Sequence, residues 1–239
     1  MILWKSFGAS VRGPEHIAIG KPNQDAWASF HHVWGDGIVI SDGLGSKPLS
    51  DFGSHAACLA VARAVHASHK QTEIDHDSLF NQIKANWLSL IFPLEPYDCA
   101  ATCLFAFRLG GGAILLGMLG DGLIAAVMAD GSIMSLSEDK SQGFSNITVA
   151  LSPSVSVKDW QQLSLLEEDC IAVMLCTDGV ADDLDNVDGF VKGFIEAHCN
   201  LAVVSANRHI RKMLESWPTP KHSDDKTIAC LFQAEVVDE

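Results

Sequence analysis

The chain has 239 residues, 48% of them hydrophobic and 19% charged, with a net charge of −14 at neutral pH. That composition belongs to a well-cored globular protein and excludes a disordered one. The acidity excludes nucleic acid, which needs a basic stripe, and anionic membrane surfaces as partners, and it suits a site that attracts cations.

Leu3–Ser10, with Leu3, Trp4 and Phe7, reads as a first strand. A loop follows, running through Arg12-Gly13-Pro14-Glu15-His16 to Gly20-Lys21-Pro22-Asn23-Gln24-Asp25 and rich in Gly, Pro and polar side chains. Ala26–Val33 is a second strand, and Asp36-Gly37 turns the chain into a third. That third strand, Ile38-Val39-Ile40, runs into Ser41-Asp42-Gly43-Leu44-Gly45, which places a carboxylate at the rim of the core beside two permissive glycines. Phe52–His69 switches to Ala, Val and Leu and reads as a helix with Ser50 or Asp51 as N-cap. Leu79, Ile83, Trp87 and Leu90 or Ile91 recur at helical spacing, so Asp77–Phe92 is a second helix, stopped by Pro93.

Two helices in succession argue against βαβ alternation and for α+β layering. Ala101–Leu109, Gly112–Leu119, Leu123–Ala129 and Ser132–Leu136 read as an antiparallel meander. Glu138–Ser156 reads as a loop or flap, and Asp159–Ser164 and Cys170–Cys176 as strands. Helices are expected over Val187–His198 and Leu201–Trp217, the latter with Val203, Ala206, Ile210, Met213, Leu214 and Trp217 on one face. Thr227–Phe232 is the last strand. With no repeat, linker or low-complexity segment, residues 1–239 read as one domain. Met1–Ser10 has neither the basic start nor the apolar run of a secretory signal. Ala113–Ala129 is too interrupted by glycine to span a membrane. Seven cysteines form no C-x-x-C pair, which points to reduced thiols, no zinc site and a cytoplasmic protein of open oligomeric state.

Asp-Gly occurs at 36, 42, 121, 130, 178 and 188. Asp36 and Asp130 sit where hairpin turns are expected, Asp188 enters a helix, and Asp121 suits a turn as well as a site. Asp42 and Asp178 instead end apolar strands with no returning strand after them, and Asp224-Asp225 enters one. Carboxylates gathered at one rim repel each other unless a cation sits among them. An all-oxygen set suits magnesium or manganese over zinc, and paired ions of that kind acidify a water for attack on phosphorus.

Six stretches follow one another: Ser10…Gly13…Asn23-Gln24-Asp25-Ala26, Ile40-Ser41-Asp42-Gly43-Leu44-Gly45, Ala101-Thr102, Leu119-Gly120-Asp121-Gly122, Cys176-Thr177-Asp178-Gly179-Val180 and Asp224-Asp225-Lys226-Thr227. In that order the chain resembles the metal-dependent type 2C protein serine/threonine phosphatases, in particular their compact bacterial branch, from about Phe7 to Phe232. The resemblance implies a four-layer αββα sandwich and a phosphorylated protein as substrate. It also implies two manganese or magnesium ions with a possible third. Asp42 would bridge two ions, the Gly43 carbonyl would bind one, and Asp178 and Asp224 would bind the first. Asp121 and Asp178 match the third position, and Asp25 would orient water. The family has Glu where this chain has Gln24, and its phosphate-binding Arg is Gly20 here, which leaves Lys21, Arg12 or His16 to meet phosphate. His16 is also a candidate proton donor, because the histidine that some relatives carry after Asp-Gly is Leu44 here. The last departure is Gly122-Leu123 after Asp121. A binding or regulatory module that keeps the fold without turnover is the alternative reading.

Overall fold

The computed structural model of the chain describes residues 3–70, 74–138, 148–218 and 223–234. Two antiparallel five-stranded sheets lie face to face. The first has the order β1 (Leu3–Val11), β10 (Lys226–Ala234), β9 (Cys170–Cys176), β6 (Leu123–Met128) and β7 (Ile133–Ser137). The second runs β2 (Asp25–His32), β3 (Gly35–Asp42), β4 (Cys103–Leu109), β5 (Ala113–Leu119) and β8 (Gln161–Leu166). Helices α5 (Val187–His198) and α6 (Val203–Glu215) cover the first sheet, and α2 (Ser50–Ser68) and α3 (His76–Ile91) cover the second. This is the expected α+β sandwich of four layers.

Three apolar seams hold the layers. Val173 and Leu175 of β9 meet Ile38, Ile40 and Leu104 between the sheets, while Ala172, Met174 and Cys176 face α5 and α6. Burial on both faces explains why Cys170–Cys176 is a continuous apolar run and not an alternating one. On α6, Ala206, Ile210 and Leu214 recur every fourth residue and are buried. Each of the two larger side chains contributes roughly 1.5–3 kcal/mol by leaving water. Among the described residues no helix is long and apolar enough to cross a membrane.

The structure corrects five local expectations. The loop after β1 contains a short helix, α1 (Pro14–Ile19), started by Pro14 at its first turn and closed by Gly20 in the left-handed region at φ 71°. Ser50 is the first residue of α2 and no cap; Leu49 precedes it, and neither Ser50 nor Asp51 caps the helix. The β2–β3 turn falls at Val33-Trp34, so Asp36 lies inside β3 opposite His31. The four strands after α3 form no single meander: β4–β5 and β6–β7 are hairpins in different sheets. Gly120 (φ 98°) and Gly122 (φ 108°) make the crossover between them, a backbone path closed to most L residues. Asp121 therefore sits on a sheet-to-sheet crossing and not in a hairpin turn. Of the Glu138–Ser156 loop, residues 139–147 lie outside the described residues; Leu151 beyond them bridges Ala101.

Candidate metal centre

Strand order and register bring the acids to one end of the sandwich. Asp25 opens β2 and Asp42 closes β3, and the two are paired directly across the antiparallel ladder. Cross-strand partners stand roughly 4.5–5.5 Å apart at Cβ and share a face, which puts like charges side by side. Asp178 begins the short helix α4 (Asp178–Ala181) just past the end of β9, and Asp224-Asp225 leads into the neighbouring β10. Carboxylate oxygens of Asp42, Asp121 and Asp178 all lie within 4.8 Å of one another.

The charge among them is uncompensated. Burial pushes Asp42 well above the usual carboxylate range, and Asp25, Asp178, Asp224 and Asp121 push it further in the same direction. Burial raises Asp178 to about 6, with Asp121 and Asp224 adding to the rise. Asp25 is raised to about 8 by burial and by the nearby Asp225, against hydrogen bonds from Thr227 and Thr177 that favour its charged form. Thr177 Oγ1 donates to Asp25 Oδ2 at 2.8 Å. Threonine also holds Asp42, whose backbone N–H donates to Thr102 Oγ1 at 2.9 Å. Thr148, beyond the undescribed part of the loop, donates to Asp121 Oδ2 at 2.9 Å.

Asp224 and Asp225 are neighbours with different environments. The Asp224 side chain is 46% exposed, accepts from its neighbour's N–H at 2.8 Å and groups with His16 and Asp225, not with the three clustered acids. Its charge nevertheless reaches Asp42 and Asp178. Asp225 is 2% exposed and saturated: it accepts from Gly13 N (2.6 Å), Gln24 N (2.6 Å) and His16 Nδ1 (2.9 Å). The turn fits because Gly13 and Gly179 press against its backbone, where a Cβ on either would collide with Asp224 or Asp225. Asp225 thus ties the α1 loop to the start of β10.

Of the other candidates, His16 is buried on Asp225, its side chain 9% exposed. Lys21 Nζ donates to the Gly45 carbonyl at 3.0 Å, and Arg12 Nη1 to the Lys21 carbonyl at 3.0 Å, so both lie by the loop that follows Asp42. Gly43 N–H donates to the Gln24 carbonyl at 3.1 Å, and a Cβ there would meet the Ser50 carbonyl at 2.6 Å. Gln24 Nε2 donates to Ser50 Oγ at 2.6 Å, while Gln24 Oε1 is buried with no hydrogen-bond partner. Sequence reasoning missed Thr102, Thr177, Thr227 and the role of Asp225. A signal was present: each threonine stands beside a motif acid or at a strand end, but hydroxyls carry no charge pattern to read.

These residues fit a hard divalent cation. The donors are oxygens only, three carboxylates converge with no ion-pair partner among the described residues, and one carboxamide oxygen nearby is buried with no partner among them. The chain's own ammonium, buried Lys226, donates instead to the Asp224 carbonyl at 2.9 Å, and burial holds its pKa below the ordinary lysine value.

A sequence profile of the family described as Protein phosphatase 2C matches residues 12–215, which takes in every candidate acid except Asp224. No curated protein matches the chain by sequence. Among solved structures, the chain is similar to RsbX in complex with magnesium (14% identity, TM-score 0.64, covering 98% of this chain and 100% of that one). It is similar to the S. agalactiae serine/threonine phosphatase (14%, TM-score 0.67, 98% and 100%). It is also similar to the catalytic domain of the serine/threonine protein phosphatase PstP in complex with two manganese ions (14%, TM-score 0.62, 98% and 100%).

Proposed function

We infer the activity from one premise, that the chain belongs to the protein phosphatase 2C family: it hydrolyses phosphoserine and phosphothreonine esters of a protein, using divalent metal. The observation that carries the reading is the convergence of Asp42, Asp121 and Asp178 oxygens within 4.8 Å. Magnesium or manganese is the ion class this donor set suits. Asp42, the Gly43 carbonyl, Asp178 and Asp224 would hold two such ions, and Asp121 with Asp178 a third. When bound, such ions supply an acidified water and neutralise phosphate charge.

The protein's own groups do the rest. Thr177 and Thr227 hydrogen-bond Asp25 and favour its charged form, the form that would accept a proton from the attacking water and orient it in line with the scissile P–O bond. The water oxygen bonds to phosphorus as the serine or threonine oxygen leaves and takes a proton, so one ester and one water give one alcohol and one phosphate. Lys21 and Arg12, beside the Gly43–Lys47 loop, would pair with phosphoryl oxygens, Lys21 without the bidentate contact that an arginine makes. His16 is better assigned to holding Asp225, and through it the Gln24-Asp25 segment, than to touching phosphate, because its ring is buried and its Nδ1 is engaged. Seven free cysteines, six of them buried, fit a reducing compartment, the cytoplasm, and one catalytic domain spans the chain.

One observation favours the alternative of a silent binding module, namely that Gln24 is uncharged where the family has glutamate. Hydrolysis of p-nitrophenyl phosphate and of a phosphothreonine peptide, with and without manganese, separates the two. Manganese-dependent turnover that Asp42→Ala abolishes supports the enzyme. Folded protein with no turnover and no metal bound in calorimetry overturns it.

A further inference from the structure

The inward face of the β2–β3 ladder carries a second constellation at its other end. Ser6 Oγ lies 2.7 Å from His31 Nε2, and His31 Nδ1 lies 2.7 Å from Asp36 Oδ1. An ionised carboxylate can only accept, so Nδ1 carries a proton, and in the neutral imidazole Nε2 accepts from the Ser6 hydroxyl. That order, hydroxyl to imidazole to carboxylate, is the one that activates a serine as a nucleophile. The carboxylate is fixed in turn: Asp36 Oδ2 accepts from Arg108 Nε at 2.8 Å, and Arg108 Nη1 donates to Glu167 Oε1 at 3.2 Å.

Ser6 and Asp36 are buried and His31 is partly exposed, so the imidazole is the member of the three that meets solvent. Ser6, His31 and Asp36 line a groove of about 640 Å³ between β1 and β2, the outermost strands of the two sheets, with Trp4, Trp27 and Val203 among its walls. Leu3 and Val33, both exposed, add apolar surface at its mouth. Two N–H donors stand by. Gly8 N–H donates to Asn207 Oδ1 at 2.9 Å, the NH2 of that carboxamide has no partner among the described residues, and Asn207 lines the same groove. The Gly8 N–H points off the free edge of β1, and alternate residues of an antiparallel strand point the same way, so the Ser6 N–H does too. A backbone amide plus a side-chain amide is the composition of an oxyanion hole. Asp36 stands six residues before Asp42 on β3, roughly 20 Å at about 3.3 Å per residue, so the groove is separate from the metal centre.

We propose that Ser6, His31 and Asp36 form an esterase-type site, independent of the phosphatase centre, for small uncharged esters with an apolar acyl chain. Ser6 Oγ bonds to the carbonyl carbon as its proton passes to His31 Nε2. The ester C–O bond then breaks, and the alcohol leaves with that proton. Water attacks the acyl-Ser6 carbonyl and gives a proton to His31, which returns it to Ser6 Oγ as the acid departs. One ester and one water give one acid and one alcohol, with no change of oxidation state.

The test treats the full-length protein in EDTA with a fluorophosphonate probe, locates the adduct by peptide mass spectrometry, and follows p-nitrophenyl butyrate hydrolysis. Native protein should be labelled at Ser6 and urea-unfolded protein should not. Ser6→Ala and His31→Gln should each lose roughly 100-fold or more of the ester turnover. Both should retain manganese-dependent phosphatase activity, while Asp178→Asn shows the reverse pattern. No Ser6 adduct on native wild-type protein, a result that needs no variant to fold, overturns the proposal. So does ester turnover that survives Ser6→Ala at the wild-type rate.

Discussion

The β2–β3 ladder has two ends, and they solve the problem of a buried carboxylate in opposite ways. At one end Asp25 faces Asp42, acid against acid, with hydroxyl and amide donors around them and carboxylates beyond. At the other, His31 faces Asp36 in the same register, and Arg108 stands between Asp36 and Glu167. The second end is balanced by the chain itself. The first is not, and burial drives its acids to hold protons above their ordinary range. Like charges opposed across a ladder are destabilising, so the acid end is kept for something the chain does not supply. Imbalance is what marks the candidate cation site.

Removing one acid from each end sharpens that contrast. Asp178→Asn should cut manganese-dependent turnover on the order of 10³-fold by removing a cation ligand. In EDTA at pH 8 it should at the same time stabilise the fold by about 1 kcal/mol, because it relieves repulsion. Urea unfolding reads the second effect, and a less stable variant would break the comparison. Asp225→Ala, the balanced acid within the acidic end, should cost about 3 kcal/mol by orphaning Gly13 N, Gln24 N and His16. Asp36→Asn should cost about 2 kcal/mol, since Arg108 loses a partly buried charge partner.

The pH response follows with its sign. Asp25 and Asp178 are raised from 3.8 to about 8 and about 6, so between roughly pH 4 and 8 the folded state holds protons that the unfolded state has released. Metal-free stability must therefore fall as pH rises through that window, by up to about 1.4 kcal/mol per pH unit for each such proton. Manganese should add most stability at the alkaline end. Urea melts in EDTA from pH 4 to 9 check this, and a curve that rises with pH contradicts it. A modest gain is expected from Gln24→Glu. It should tighten manganese binding about tenfold, or about 1.4 kcal/mol, by calorimetry, since it puts a charge where an unpartnered oxygen now sits.

Much of this was legible in one dimension. Helices α3 and α6 announce themselves by period, and β3 and β9 by unbroken apolar runs that end in an acid. The acids at 42, 121 and 178 were legible too, as motifs in a set order. Less legible were features that depend on which strands become neighbours. Asp36 looked like a turn residue because Asp-Gly is a turn dipeptide; opposite His31 and Arg108 it is a strand residue. The four strands after α3 looked like one meander because local spacing does not say which sheet a strand joins.

Asp224 and Asp225 show the boundary most sharply. They are adjacent, chemically identical, and part of one motif. The sequence by itself determined the α+β layering and the presence of surplus acids, because those follow from periodicity and charge. Only the tertiary structure decided which acid is consumed by backbone amides and which stays available to a cation. Three donors from α1 and its flanks, distant in sequence, close on Asp225 and leave Asp224 half in solvent. A carboxylate's role is set by the donors that reach it, and those arrive through space.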